Sequence, residues 1–289
     1  MKILRATHLG MCFGVRDAIS LTQEQSAQAP LTVYGDLVHN ESVLADLRRR
    51  GVRFAQRDEP VMTDEVMITA HGASQATLDR LKGQGLVVRD ATCPLVRVAH
   101  HAVAKLVREG FHPVIIGQRH HVEVRGLTED LADFDVVLAE EEVDQLREQR
   151  RYGIAAQTTQ PIDRVHRLVE RLRRRFPASE VRFIDTVCQP TKQRQDAAID
   201  LAQQCDVVMV IGGAHSNNTR ELVATCRKYC TRVHHIQNPD EIIAGWLEGV
   251  VTVGLTAGTS TPDALIDAVE DRLRKMTVAT ARRELSAVS

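Results

Sequence analysis

The chain has 289 residues, a formal net charge of −1 and 43% hydrophobic residues, which is enough for two or three small domains with substantial cores. Near-neutral charge and only 3% aromatic residues disfavour a nucleic-acid surface, which needs phosphate neutralisation and base stacking. The sequence has neither an apolar run long enough to span a bilayer nor a secretory leader, so we expect a cytoplasmic protein that uses no membrane. Six cysteines in such a protein favour metal binding or catalysis over a disulfide framework.

The predicted elements alternate between strands and helices, and the alternation repeats three times along the chain. In each repeat a short strand leads to a cysteine, a helical pattern follows, and a second, continuously apolar strand ends in a glycine 23 or 24 residues after the cysteine. Continuous apolar strands are typical of parallel sheets covered on both faces. The three cysteine and glycine pairs are Cys12 and Gly35, Cys93 and Gly117, and Cys188 and Gly212.

The two ends of the repeat pattern are complementary. The strand at 2–6 has no helix before it, and the last predicted helix, at 262–276, has no strand after it. We therefore expect an α/β protein of three pseudo-threefold-related domains with parallel crossovers, in which the first strand completes the third domain. The expected domains are 13–93, 94–187 and 188–276, the last completed by 1–12, with a tail at 277–289.

Polar side chains follow most of the predicted strands. In open α/β sheets, ligands bind at the carboxyl ends of the strands, close to helix N-termini that favour anions. The groups here are mostly imidazoles, hydroxyls and amides with few Lys or Arg, which predicts a small anion bound by neutral donors. The candidates are His39, Asn40, His71, Ser74, His121, Glu123, Thr158, Thr159, Ser216, Asn217, Asn218, Ser260 and Thr261.

Three thiols in equivalent positions of a threefold repeat predict one shared ligand site. Three thiolates suit a [4Fe-4S] cluster with one open iron, and zinc with a fourth ligand is the alternative. The other three cysteines lie beside an apolar strand or on one helix face, and core packing is the favoured interpretation over half a metal site. They are Cys205, Cys226 and Cys230.

Glu123 follows His121 by two residues and is one of only two acids in the motifs after the second strands. Inside a closed pocket it could donate or relay a proton. A surface salt bridge with Arg119 or Arg125 is the alternative.

Nine motifs in this chain resemble those of the 4-hydroxy-3-methylbut-2-enyl diphosphate reductases, the IspH/LytB family of the non-mevalonate isoprenoid pathway. They occur in the family's order over about residues 1–275. The motifs are GMCFGVRDAI (10–19), LVHNESV (37–43), AHGAS (70–74), DATCPLV (90–96), HVEVRG (121–126), QTTQ (157–160), DTVCQPTKQRQ (185–195), GGAHSNNTREL (212–222) and TAGTSTPD (256–263).

The resemblance implies a trefoil of three α/β domains around a central iron–sulfur cluster. It also implies reductive removal of the substrate's C4 hydroxyl to give isopentenyl and dimethylallyl diphosphates, with ferredoxin or flavodoxin as electron donor and a monomer or weak dimer as the expected assembly. The hydroxyl would bind the open iron, and Glu123 would deliver protons with Thr158 near that hydroxyl. By the same resemblance, Cys12, Cys93 and Cys188 would hold the cluster, and the allylic diphosphate would contact His39, His71, His121, Thr158, Thr191, Ser216, Asn217, Asn218 and Ser260.

Departures from the family pattern are few. Val122 stands where many members have proline, Asn217 stands where many have serine, and His215 is atypical. Two other functions stay open from the sequence: a [4Fe-4S]-dependent dehydratase or reductase acting on another small anion, and a non-enzymatic iron–sulfur sensor.

Overall fold

The computed structural model describes residues 1–57 and 59–287, with side chains up to residue 277. Strands and helices alternate along the chain, and the three repeats are evident in the order of the elements. The first repeat contains α1 (Phe13–Ser26), β2 (Leu31–Tyr34), α2 (Glu41–Arg49), β3 (Arg53–Ala55), β4 (Glu65–Ile68), α3 (Gln75–Gly83) and β5 (Val87–Asp90), and it follows β1 (Lys2–Arg5).

The second and third repeats follow this order as far as their last helix, with a helix or 3₁₀ turns added between the strands that correspond to β3 and β4. The second contains α4 (Pro94–Arg108), β6 (His112–Ile116), α5 (Val122–Thr128), β7 (Asp135–Val137), α6 (Glu140–Asp144), β8 (Arg151–Ala156), α7 (Ile162–Arg175) and β9 (Glu180–Phe183). The third contains α8 (Gln189–Ala202), β10 (Val207–Ile211), α9 (Asn217–Cys226), β11 (Val233–Ile236), two short 3₁₀ turns (Pro239–Glu241 and Ala244–Leu247), β12 (Thr252–Ala257) and α10 (Asp263–Ala287).

Three four-stranded parallel sheets result, with the strand orders β3-β2-β4-β5, β7-β6-β8-β9 and β11-β10-β12-β1. The predicted α/β class is confirmed. Strand β1 pairs with β12, with Lys2 opposite Thr252, so the first strand of the chain completes the third sheet as the sequence predicted. The sequence analysis did not predict β3, β7 and β11, which are edge strands of only three or four residues.

The chain divides into two compact units. One contains Met1–Cys12, His39–Val43 and the chain from Lys192 onward, and the other contains Phe13–Val38 and Leu44–Thr191. The domain boundaries expected from the sequence stay a prediction. Of the expected tail at 277–289, the backbone as far as Ala287 belongs to α10, the side chains beyond residue 277 are not described, and 288–289 lie outside the described residues.

Strand β10 has an uninterrupted apolar sequence because helices cover both faces of its sheet. Val208 and Val210 pack with Leu201 of α8 and Leu222 of α9 on one face of the sheet. On the other face, Val207, Met209 and Ile211 pack with Ile266 and Val269 of α10. A parallel strand covered by helices on both sides has no solvent-facing side chain, so every position of β10 is buried.

Glycines in two central strands allow helices to pack closely on the sheet. A Cβ at Gly153 of β8 would lie 2.9 Å from Leu106 Cβ of α4, and a Cβ at Gly254 of β12 would lie 2.9 Å from Leu201 Cγ of α8. Leu106 and Leu201 each follow their repeat's cysteine by thirteen residues. The same close helix–strand approach therefore occurs at matching positions of two repeats.

Among the described residues, the helices contain no stretch with the length and apolarity that crossing a membrane requires.

Gly153→Ala should destabilise the fold. Its new Cβ would lie 2.8 Å from Phe111 Cβ as well as against Leu106, and overpacking of this kind costs about 1–3 kcal/mol. Gly83→Ala is the control, because a Cβ there meets nothing within 4 Å, and its helical position predicts a gain of up to about 1 kcal/mol. Urea unfolding of the two variants measures both changes, and equal stability of Gly153→Ala and wild type would contradict the packing argument.

Candidate functional site

The three repeat cysteines occupy equivalent places. Each is the residue directly before a helix: Cys12 before α1, Cys93 before α4 and Cys188 before α8. Each cysteine follows an edge strand, and its N–H donates a hydrogen bond to the carbonyl of the second residue after the central strand that pairs with that edge strand. These bonds join Cys12 to Thr259 at 3.1 Å, Cys93 to Ala70 at 3.0 Å and Cys188 to Thr158 at 3.0 Å.

None of the six cysteines, all of them among the described residues, forms a disulfide, but the other three have different surroundings. Cys226 and Cys230 are buried in the apolar cluster beneath α8 and α9, and Cys205 packs against it. Burial raises the pKa of Cys205 to about 11 and that of Cys226 to about 12, so these thiols stay protonated at neutral pH. Their placement agrees with the core-packing interpretation, because metal ligation requires thiolates.

Glu123 is buried, with 1% of its surface exposed, in the first turn of α5. Both of its carboxyl oxygens accept hydrogen bonds from Thr158: the backbone N–H donates at 2.7 Å and the hydroxyl at 3.0 Å. The alternative of a surface salt bridge is wrong, since Arg119 donates to the Val136 carbonyl and Glu123 is not at the surface.

Burial raises the pKa of Glu123 from 4.5 to about 7, although the two bonds from Thr158 oppose this shift. The carboxyl can therefore hold or release a proton near neutral pH, as a general acid must. Thr158 also accepts the N–H bond of Cys188 through its carbonyl. A single residue thus connects the titrating carboxyl to one of the three repeat cysteines.

Two of the candidate histidines lie in the same unit as Glu123. The His71 and His121 rings are 5.5 Å apart in an edge-to-face arrangement. His121 is the N-cap of α5, and its Nδ1 accepts a bond of 3.2 Å from the Glu123 N–H. A neutral ring that accepts at Nδ1 carries its proton at Nε2, so His121 presents a donor suited to an anionic oxygen.

Cys188 and Cys93 each have a further close neighbour. The Thr191 hydroxyl is buried and lies 3.0 Å from Cys188 Sγ. Gly14, the second residue of α1, has no side chain because a Cβ there would overlap Cys93 Sγ and lie 3.1 Å from Cys93 Cβ. The sequence analysis did not single out Gly14, although its place two residues after Cys12 was a signal.

Further candidates lie in the other unit. Ser216 is the N-cap of α9, Asn217 and Asn218 are buried in its first turn, and the Ser260 hydroxyl donates to the His39 carbonyl at 3.2 Å. Asn218 Oδ1 accepts from the Thr259 N–H at 3.0 Å. Asn218 Nδ2 is buried and has no hydrogen-bond partner within the described residues, so it is a donor that a bound anion would satisfy.

Three strand-end residues have structural contacts. Asn40 Oδ1 accepts N–H bonds from Ser42 and Val43 in the first turn of α2. The Ser74 hydroxyl donates to Glu129 at 2.6 Å, and the Thr261 hydroxyl donates to the Ile211 carbonyl at 3.0 Å. Sequence position alone could not separate these residues from the others, because helix caps and ligand-binding groups use the same residue types at the same places.

Glu123 should make the stability of the protein depend on pH. Its folded-state pKa of about 7 exceeds the unfolded value of 4.5, so the folded protein binds the extra proton between these values. The stabilisation of the folded state by this bound proton is fully present below pH 4.5 and is lost as the pH rises through 7. Relative to Glu123→Gln, the wild type should lose about 3 kcal/mol of unfolding free energy over that range.

Denaturant titrations of both proteins at a series of pH values measure this difference. Parallel stability curves for wild type and Glu123→Gln between pH 5 and 7.5 would show that the carboxyl has an ordinary pKa.

Comparison with known proteins identifies the family. The family model described as LytB protein matches residues 3–274. A curated relative from Aquifex aeolicus (strain VF5), named 4-hydroxy-3-methylbut-2-enyl diphosphate reductase, is 35% identical over 282 residues, which are 96% of this chain and 97% of the relative. The protein of the same name from Pseudomonas syringae pv. tomato is 36% identical over 287 residues, covering 95% of this chain and 90% of the relative.

Solved structures agree with this result. A structure of (E)-4-hydroxy-3-methyl-but-2-enyl diphosphate reductase, the terminal enzyme of the non-mevalonate pathway, matches with a TM-score of 0.68 and 35% identity, covering 95% of this chain and all of the other. The E-1-hydroxy-2-methyl-but-2-enyl-4-diphosphate reductase from Plasmodium falciparum matches with a TM-score of 0.86 and 28% identity. The match covers 92% of this chain and 86% of the other. This chain therefore belongs to the LytB family and is an enzyme.

Proposed function

We propose that this chain reductively removes the hydroxyl group of 4-hydroxy-3-methylbut-2-enyl diphosphate and so forms isopentenyl and dimethylallyl diphosphates in the last step of the non-mevalonate pathway. The names and coverage of its relatives support this substrate. The structural observation that carries the proposal is the buried Glu123 carboxyl, with a pKa of about 7 and both oxygens bonded to Thr158.

The reaction needs two electrons and two protons, because a C–O bond breaks, a C–H bond forms and the oxygen leaves as water. Glu123 would supply protons to this exchange, since its pKa lies close to neutral pH and its burial keeps the proton from bulk water. The Thr158 hydroxyl, which donates to the Glu123 carboxyl, would orient the departing hydroxyl group. A ferredoxin or flavodoxin would supply the electrons.

The diphosphate would be bound by neutral donors. His121 would donate from Nε2 to a phosphate oxygen. His71, whose ring meets that of His121 edge to face, would contact the same diphosphate. The family resemblance adds Ser216, Asn217, Asn218, Ser260 and His39, of which Asn218 would donate from its buried Nδ2. Helix N-termini favour anions, and hydroxyl, amide and imidazole donors leave the substrate's charge only partly neutralised.

The three repeat cysteines fit an iron–sulfur cluster. They form no disulfide, are partly exposed and are each placed directly before a helix, where the helix dipole favours a thiolate. The missing Cβ at Gly14 leaves room at Cys93 Sγ, and the Thr191 hydroxyl at 3.0 Å can donate to a Cys188 thiolate. Cys12, Cys93 and Cys188 would hold the cluster, which when bound supplies electrons and a Lewis-acidic iron.

Anaerobically purified protein should convert the allylic hydroxy diphosphate to the two isoprenoid diphosphates when a low-potential reductant is present. Product analysis by mass spectrometry measures this activity. Consumption of a different small hydroxylated anion, with the allylic diphosphate left intact, would instead identify a dehydratase or reductase of another substrate.

Glu123→Gln should lower turnover by about 10²- to 10⁴-fold, the usual contribution of a positioned general acid. Glutamine keeps the shape of the side chain and can still bond to Thr158, so substrate affinity should change little. Steady-state kinetics separate the two effects. Unchanged turnover would remove Glu123 from the proposed proton path.

Gly14→Ala should weaken iron binding, because its Cβ would overlap Cys93 Sγ and force the thiol away from its position. We expect iron to be held about 10-fold more weakly against a chelator, the lower end of effects seen for residues adjacent to metal ligands. Gly83→Ala is the control, since a Cβ there has open space. Equal iron retention by both variants would contradict the proposed role of Cys93.

A further inference from the structure

Two N–H groups at the N-terminus of α3 bond to a carboxylate that lies just beyond another helix, α5. Asp130, two residues beyond α5, accepts the N–H of Gln75 at 2.7 Å through one oxygen and the N–H of Ala76 at 2.9 Å through the other. The third N–H, that of Thr77, donates to the hydroxyl of the N-cap Ser74 at 3.1 Å. A carboxylate at this end of a helix is favoured both by the open N–H groups and by the helix dipole.

Glu129, the C-cap residue of α5, makes a second set of contacts to the same turn. Its Oε2 accepts the hydroxyls of Ser74 at 2.6 Å and Thr77 at 3.1 Å. Its Oε1 pairs with Arg57. Three donors converge on one partly exposed carboxylate, and such charge-assisted bonds are stronger than bonds between neutral groups.

These contacts join the two segments that carry His71 and His121. His71 precedes the α3 N-cap by three residues, in a turn that contains Gly72 at φ +77°. His121 is the N-cap of α5, a helix of only seven residues. Fixing the end of α5 against the start of α3 therefore fixes the distance between the two imidazoles, which is 5.5 Å between ring centroids.

His100 of α4 fills the space behind this junction. A Cβ on Gly72 would lie 3.2 Å from His100 Nε2, and a Cβ on Gly126 of α5 would lie 3.6 Å from it. The imidazole thus packs against both the His71 turn and α5. With this packing on one side and the carboxylate contacts at the helix ends, neither segment can shift without breaking several contacts.

We propose that Asp130, assisted by Glu129, is a positioning residue that sets the spacing of His71 and His121 and thereby the affinity for the diphosphate group of the substrate. The proposal rests on the proposed function, which assigns diphosphate binding to these histidines. Asp130 accepts hydrogen bonds from the first two residues of α3 and acts through that helix. It is therefore a positioning residue and not a catalytic one.

The test compares Asp130→Ala and Asp130→Asn with wild-type holoenzyme. We expect the KM for the allylic diphosphate to rise about 10-fold in Asp130→Ala, equivalent to about 1.4 kcal/mol, with kcat within about twofold. Asp130→Asn keeps one acceptor oxygen and should lie between wild type and Asp130→Ala. The Kd for inorganic diphosphate, measured by calorimetry, should rise by the same factor as KM.

Asp79→Asn is the matched control. It removes the same charge from the exposed face of α3, where Asp79 accepts a bond of 2.7 Å from the Gln75 side chain, and it should leave KM and Kd unchanged. Unchanged KM and Kd in Asp130→Ala would overturn the proposal. A fall in kcat and melting temperature with KM unchanged would also overturn it, because that pattern indicates a structural role alone.

The two measurements separate this inference from the proposed function. If the wild type binds inorganic diphosphate but does not convert the allylic substrate, the proposed function fails, and the Kd values of the Asp130 variants still decide the positioning role. If the wild type binds no diphosphate, the proposed function and the positioning role of Asp130 are both wrong.

Discussion

The hydrogen bond from each repeat cysteine to the end of a central strand is the constraint on which the site depends. Each bond ties the residue before a helix to the second residue after a strand, in all three sheets. Because the cysteine N–H is used internally, the backbone is fixed and the thiol remains for other chemistry. The residues that follow the same strand ends, His71, Thr159 and Ser260, are held beside their cysteines by the same bond.

Thr158 extends this constraint to the titrating group. Its N–H and hydroxyl contact Glu123, and its carbonyl contacts Cys188. A buried carboxyl without a fixed cation keeps a pKa near neutrality, whereas an Arg or Lys neighbour would lower it. Among the described residues no cation contacts Glu123, so only the two bonds from Thr158 oppose the effect of burial on its pKa.

Sequence patterns predicted the α/β class, the repeat and the completion of the third domain by the first strand. Continuous apolar strands, a fixed cysteine–glycine spacing and the unmatched ends of the repeat are all visible in a single sequence. These patterns missed β3, β7 and β11, since three or four residues at a sheet edge carry little periodicity. They also missed the contact of Glu129 and Asp130 with α3. Residues far apart in sequence meet there through charge and hydrogen bonding, which leave no pattern in a single sequence.

The pairing of β1 with β12 has a consequence for how the protein forms. Lys2 and Thr252 are neighbours in the sheet but are separated by 250 positions along the chain. Contacts of such long range form slowly, and on the ribosome β1 cannot pair until β12 has emerged. The loop that carries Cys12, bonded to Thr259, is therefore fixed last, so truncation near the C-terminus would damage the N-terminal end of the site.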